Sequence, residues 1–188
     1  MSALRCFLAV PVPQDVKPRL VEVQRALEGA GAHGRWVPID QLHLTLIFLG
    51  AIAAERLAMV SEALANAPAL NPFPLQLGGL GCFGARRSPR VLWVGVHDAS
   101  GRLVQLHQQS ATALRKVGVT VESRPFHPHI TLGRTRTVGE GRGLAKALRT
   151  VTFDANESWL VNEMRFYSST LSSAGATHRL LQSFPLQA

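Results

Sequence analysis

Cysteine is nearly missing from this chain: among 188 residues only Cys6 and Cys82 carry thiols, each beside apolar residues. Two cysteines cannot build the disulfide framework of a small secreted domain, so reduced, buried thiols in a cytoplasmic protein are expected. Long apolar runs are missing too. The opening MSALRCFLAVPVP meets its prolines before reaching the length of a secretory core, and no stretch approaches the roughly 20 apolar residues that span a bilayer. No membrane partner is expected. Lysine is scarce, with Lys17, Lys116 and Lys146 the only ones among 20 Lys plus Arg, so the formal charge of +8 is carried almost wholly by Arg. The guanidinium fork suits phosphate oxygens, which leans toward anionic substrates or nucleic acid; a solvated basic surface accounts for charge alone equally well. Low charge (17 %) and an ordinary apolar fraction (46 %) exclude disorder for most of the chain, and its length excludes a long multidomain protein. No Pro/Ser-rich linker divides it, so residues 1–188 are expected to form one unit.

What is present is patterned. LRCFLAV, closed by Pro11 and Pro13, reads as a buried strand, followed by a helix N-capped by Asp15 with Val16, Leu20, Val23 and Leu27 inward. Then come a strand near Leu42 to Leu49, a helix over about 53–64, and two strands joined by the loop CFGARRSPR. A helix from about Ser100 follows, then the extended RPFHPHITLGRT, a short helix at GLAKALR, and last strands in TFDA, WLVNEMRFYSSTL and THRLLQSFPL. Each half of the chain offers strands and at least one helix. The expected fold is α+β: two similar lobes, largely antiparallel sheets with flanking helices.

One tetrapeptide pattern occurs twice, HLTL at His43 and HITL at His129, 86 positions apart. Side chains alternate across a strand, so His43 and Thr45 share one face and Leu44 and Leu46 the other; His129 and Thr131 stand against Ile130 and Leu132 likewise. If the lobes face each other, two imidazoles and two hydroxyls line one central cleft. Two imidazoles divide into a general base and a general acid without a metal, and the hydroxyls donate to phosphate oxygens. Arg134 adds a charge-assisted contact. By symmetry either histidine could take either part.

HLTLIFLG and RPFHPHITLGR, with RCFLAVPVP, RWVPIDQLHLTL, PRVLWVGV and the ending FYSSTLSSAGATHRLLQSFPL, resemble the 2′-5′ RNA ligase family of RNA 2′,3′-cyclic phosphodiesterases, within the two-histidine phosphoesterases. The resemblance runs over almost the whole chain. It implies a bilobal fold with both His-x-Thr strands on a central cleft, His43 as proton donor, His129 as proton acceptor, and Thr45, Thr131 and Arg134 on the phosphate. The implied reaction is opening of RNA 2′,3′-cyclic phosphate ends, or of small cyclic nucleotides, to 2′-phosphomonoesters, with reversible 2′-5′ ligation as a family activity. No cofactor, metal or obligate protein partner is implied.

Phe126, Phe48 and Trp36 are candidates for stacking a base, with Phe126 preferred and Phe48 more readily explained by the core. His127 is expected at the cleft edge; with His129 it would make a poor metal pair. His33, His97, His107 and His178 read as surface or packing residues, and Arg86, Arg87 and Arg90 either track a phosphate backbone or tip a solvated hairpin. Two rivals follow: an RNA-end-binding module without turnover, and a metal-dependent hydrolase using His127 and His129.

Overall fold

The computed structural model describes residues 3–67, 69–172 and 175–187. Among these residues nine strands, β1 (Ala3–Pro11), β2 (Arg35–Trp36), β3 (His43–Ala53), β4 (Phe73–Ala85), β5 (Ser88–His97), β6 (His129–Arg134), β7 (Ser158–Val161), β8 (Glu163–Leu171) and β9 (Ala176–Pro185), form one sheet. Its order is β7-β4-β5-β6-β3-β1-β8-β9, with β2 on β6, and every pair is antiparallel. The helices are α1 (Lys17–Gly29), α2 (Leu57–Ala65), α3 (Arg102–Lys116) and α4 (Val138–Ala147). Leu20, Leu27, Leu64, Leu103, Leu114 and Leu144 of these helices join Leu8, Leu44, Leu92, Val94, Ile130 and Leu132 of the strands in one continuous core. The opposite side of the sheet, which carries both His-x-Thr pairs, is half-buried.

The α+β class and the paired lobes are present, but the lobes are not the two halves of the chain. One lobe is β3-β1-β8-β9 and the other β6-β5-β4-β7. The last hairpin, β8 and β9, returns to the edge of β1 that β3 leaves open, because an unpaired strand edge is a row of unsatisfied donors and acceptors. The lobes meet at the register pair Leu44↔Ile130, both fully buried.

Local expectations are corrected in several places. α1 begins at Lys17 with Val16 at its N-cap and no side-chain cap, so Asp15 does not cap it; Pro18 falls in the first turn, where its missing N–H is harmless. The strand placed near Leu42 to Leu49 runs to Ala53. The hairpin loop shrinks to a turn at Arg86 and Arg87, since β4 and β5 pair out to Ala85↔Ser88 and Gly84 takes φ +108°. TFDA forms no strand. α4 starts five residues before GLAKALR, because Thr137 accepts from the Glu140 N–H at 3.1 Å while the Glu140 carboxylate accepts from the Thr137 N–H at 3.4 Å. That capping box lies in the sequence as T-x-x-E.

Candidate active site

Antiparallel pairing at Leu44↔Ile130 fixes the arrangement of the four motif side chains. One residue either way, the register sets His43 opposite Thr131 and Thr45 opposite His129, so the histidines occupy one diagonal of a square and the threonines the other. Diagonal neighbours on a sheet face lie about 7–8 Å apart, which leaves space between the rings for a tetrahedral phosphate.

Both imidazoles are held by the same local device. His43 Nδ1–H donates to the Gln41 carbonyl at 2.7 Å, and His129 Nδ1–H donates to the His127 carbonyl at 2.7 Å. Each bond selects the Nδ1–H tautomer and turns Nε2 into the cleft. At His43 the Thr45 hydroxyl donates to Nε2 at 3.1 Å; among the described residues His129 Nε2 has no such partner. Burial pushes the His43 pKa down to about 4, against the Gln41 bond that raises it, and the charges of His178, His129 and Lys17 push the same way as burial. His129 is also lowered, first by burial, with the His127 carbonyl opposing and His127 and Arg134 adding to the fall. Both rings are therefore biased toward their neutral forms.

Strict alternation would turn Phe48 and Arg134 to the core. It fails at the same place in each lobe. The pairing steps from Ala9↔Thr45 to Leu8↔Ile47 and from Trp93↔Thr131 to Leu92↔Gly133, so Leu46 and Leu132 are each an extra residue, a β-bulge. Leu46 and Ile47 are consecutively buried, as are Leu132 and Gly133, and the next residues, Phe48 and Arg134, emerge exposed on the histidine side. Phe48 is 58 % exposed, which overturns its expected place in the core. The two lobes thus present His, Thr, Phe and His, Thr, Arg. Gln24 of α1 secures the second bulge: its amide donates to the Leu132 carbonyl at 2.9 Å and to the Val37 carbonyl at 2.8 Å.

The LigT-like phosphoesterase sequence pattern matches this chain twice, at residues 10–93 and 94–177, each copy containing one His-x-Thr motif. The chain belongs to that family. An RNA 2′,3′-cyclic phosphodiesterase of Aquifex aeolicus is 34 % identical over 190 residues, covering 99 % of each chain. The Escherichia coli protein of the same name is 31 % identical over 185 residues, covering 97 % of this chain and 96 % of its own. Among solved structures, Escherichia coli LigT in its apo form superimposes with a TM-score of 0.80 at 28 % identity over the full length of both chains, and LigT complexed with 3′-AMP with 0.79.

In this LigT-like phosphoesterase several cleft residues escaped the sequence reading. Phe7 stacks on His43 at 4.9 Å and on Tyr167 at 5.2 Å, and His178 meets Phe7 edge-on at 4.9 Å and His43 at 5.4 Å. His178 is therefore a cleft residue, brought there by the returning hairpin. Arg165, whose guanidinium is tied to Glu163, and the buried Lys17 give this side positive charge; the alternation in MRFYSS did carry a signal for Arg165 and Tyr167. In the other lobe Phe83 and Trp93 stand 5.0 and 6.0 Å from His129, and His127 lies 5.0 Å from Trp93, at the cleft edge. Phe126 does not face the cleft as expected: its ring is stacked on His107 of α3 at 4.4 Å. Trp36 lies over Gly133 and packs against the core. Both cysteines are free thiols, Cys6 buried and Cys82 partly so. Among the described residues no three His, Cys, Asp or Glu side chains gather to hold a metal ion, and no helix is long and apolar enough to cross a membrane.

Proposed function

We propose that this chain opens the 2′,3′-cyclic phosphate at RNA ends, or on cyclic nucleotides, by metal-independent acid–base catalysis between His43 and His129. The supporting observation is the pair of imidazoles on one diagonal of the β3–β6 register, whose Nδ1–H groups are both spent on backbone carbonyls and whose Nε2 atoms are left for proton transfer. His129 Nε2 accepts a proton from the attacking water as its oxygen bonds to phosphorus; the P–O3′ bond breaks and His43 Nε2–H delivers its proton to O3′, giving a 2′-phosphomonoester. The anionic phosphate offsets the effect of burial, because a negative charge between the rings raises the pKa of His43 and favours its protonated form. Once His43 Nε2 carries a proton it no longer accepts from Thr45, and that hydroxyl is free to donate to a non-bridging oxygen. Thr131 and Arg134 hold the remaining oxygens. Phe48, standing where the other lobe has Arg134, offers an aromatic face to the terminal base, which orients the substrate between two otherwise similar lobes.

A product-resolved assay on cyclic-phosphate-ended oligonucleotides and on nucleoside 2′,3′-cyclic phosphates tests this. His43→Ala and His129→Ala are each expected to lose about 100- to 10,000-fold in turnover with circular dichroism unchanged. Phe48→Ala should raise KM about tenfold, the worth of one stacked base. Full activity in either histidine variant, or a 3′-phosphate as product, would sink the assignment; binding without any phosphomonoester would mark an RNA-end-binding module instead.

A further inference from the structure

Two cations on the His43 side take no part in the proposed proton transfers. Arg165 stands on the row of the sheet that starts at Thr45: Thr45 pairs with Ala9, and Ala9 with Arg165. Directly paired residues share a face, so Arg165 lies on the histidine side, with only the small Ala9 between it and Thr45. Two strand spacings separate Arg165 from Thr45 by roughly 9–10 Å along the sheet. Its guanidinium is fixed from one edge: Nε donates to Glu163 Oε1 at 2.8 Å, Nη2 bonds to the same oxygen, and Nη1 donates to the Tyr167 hydroxyl at 3.5 Å. Held in this way, Nη1 still has a second N–H to give. Lys17, the first residue of α1, brings another positive charge near Arg165 and His43. Lys17 is only 7 % exposed, yet among the described residues its ammonium has no hydrogen-bond or ion-pair partner. Burial lowers its pKa, against the charge of Asp40 and with that of Arg165. A buried ammonium without a partner is costly, and an anion beside it offsets that cost.

The anion cannot be the cyclic phosphate itself, whose oxygens go to Thr45, Thr131 and Arg134 on β3 and β6, while Arg165 stands two strands from Thr45. We infer that Lys17 and Arg165 form a second anion site, which takes the 5′-phosphate of the nucleotide whose 2′,3′-cyclic phosphate lies between the two histidines. This rests on the proposed placement of that cyclic phosphate. A nucleotide carries its 5′-phosphate and its 3′-oxygen at opposite ends of one ribose, and the side chains of Thr45 and Arg165, rising from one face with Ala9 between them, bracket a span of that kind. In RNA the 5′-phosphate is the phosphodiester to the preceding nucleotide. The Lys17 point charge and the Arg165 fork both suit its oxygens. A nucleoside 2′,3′-cyclic phosphate has no group to place there. The preferred substrate is therefore an RNA end, or a cyclic nucleotide with a 5′-phosphate, and the bare cyclic nucleotide is the poorer one.

The test compares kcat/KM for adenosine 2′,3′-cyclic phosphate with and without a 5′-phosphate. In the wild type the 5′-phosphate should raise kcat/KM about 10- to 100-fold, chiefly through KM, as charge-assisted hydrogen bonds do. Lys17→Met, similar in length but uncharged, should cut that ratio about tenfold, and Lys17→Arg should keep most of it. A second measurement needs no variant: in the dinucleotide ApA with a 2′,3′-cyclic end, an uncharged methylphosphonate in place of the internal phosphodiester should lower wild-type kcat/KM about 10- to 100-fold. A wild-type ratio near 1, or a methylphosphonate as good as the phosphodiester, overturns the inference while leaving ring opening in place. An equal loss on both adenosine substrates in Lys17→Met also overturns it, since the lysine would then serve the cyclic phosphate. A wild type that opens neither ring refutes the parent reading, and this inference with it.

Discussion

At the residue scale, burial favours the neutral form of His43, and the acid role proposed for it requires the charge of a bound phosphate. Its pKa, pushed down by burial to about 4, lies below the roughly 6.5 of an unfolded histidine. A depressed histidine favours folding in its neutral form, so its contribution is fully present above about pH 6.5 and is lost as pH falls toward about 4. The expected loss is on the order of 3 kcal/mol for this group. Urea unfolding of wild type and His43→Gln at pH 7 and pH 4 should show the variant losing less stability than the wild type across that window. In an NMR titration the ring should stay neutral until well below pH 6, and inorganic phosphate should move its midpoint upward. A midpoint near 6.5 in the free protein, or one that phosphate does not move, would refute the buried-acid account.

At the element scale, the bulges are what turn a two-residue repeat into a site. Alternation alone predicts the His and Thr of each motif correctly and the next functional residue wrongly, because one extra residue in β3 and one in β6 reverse the parity that follows. The bulge in β6 depends on Gln24, buried on α1, whose amide donates to the Leu132 carbonyl. Gln24→Leu, similar in size but without the donor, leaves that buried carbonyl one partner short and should cost about 1–3 kcal/mol. Because Arg134 follows the bulge, the same change should raise KM for cyclic phosphates more than it lowers kcat. A stability loss with both kinetic constants unchanged would separate the bulge from the site.

At the scale of the whole molecule, the two lobes share one core across the Leu44↔Ile130 seam. Leu44→Ala should cost about 2–5 kcal/mol, and calorimetry should still show a single transition, since the cavity opens in a core common to both lobes. Two separated transitions would mean that the lobes fold independently. The sequence by itself determined which residues pair on a strand face, because pleat geometry is local: His43 with Thr45, and His129 with Thr131. The α+β class was legible in the strand and helix patterning of each half, and the phosphate chemistry in the repetition of the His-x-Thr pair, with which the resemblance agreed. Phe126 and His178 were misread for one reason: nothing local says which distant element a loop or a terminal hairpin packs against. Only the tertiary structure decided that β9 carries His178 to His43, that Phe126 is taken by α3, and that two bulges turn Phe48 and Arg134 away from the core to the histidine side. It alone set Phe7 and His178 beside His43 and Phe83 and Trp93 beside His129, because such surroundings depend on strand neighbours that lie far apart in the chain.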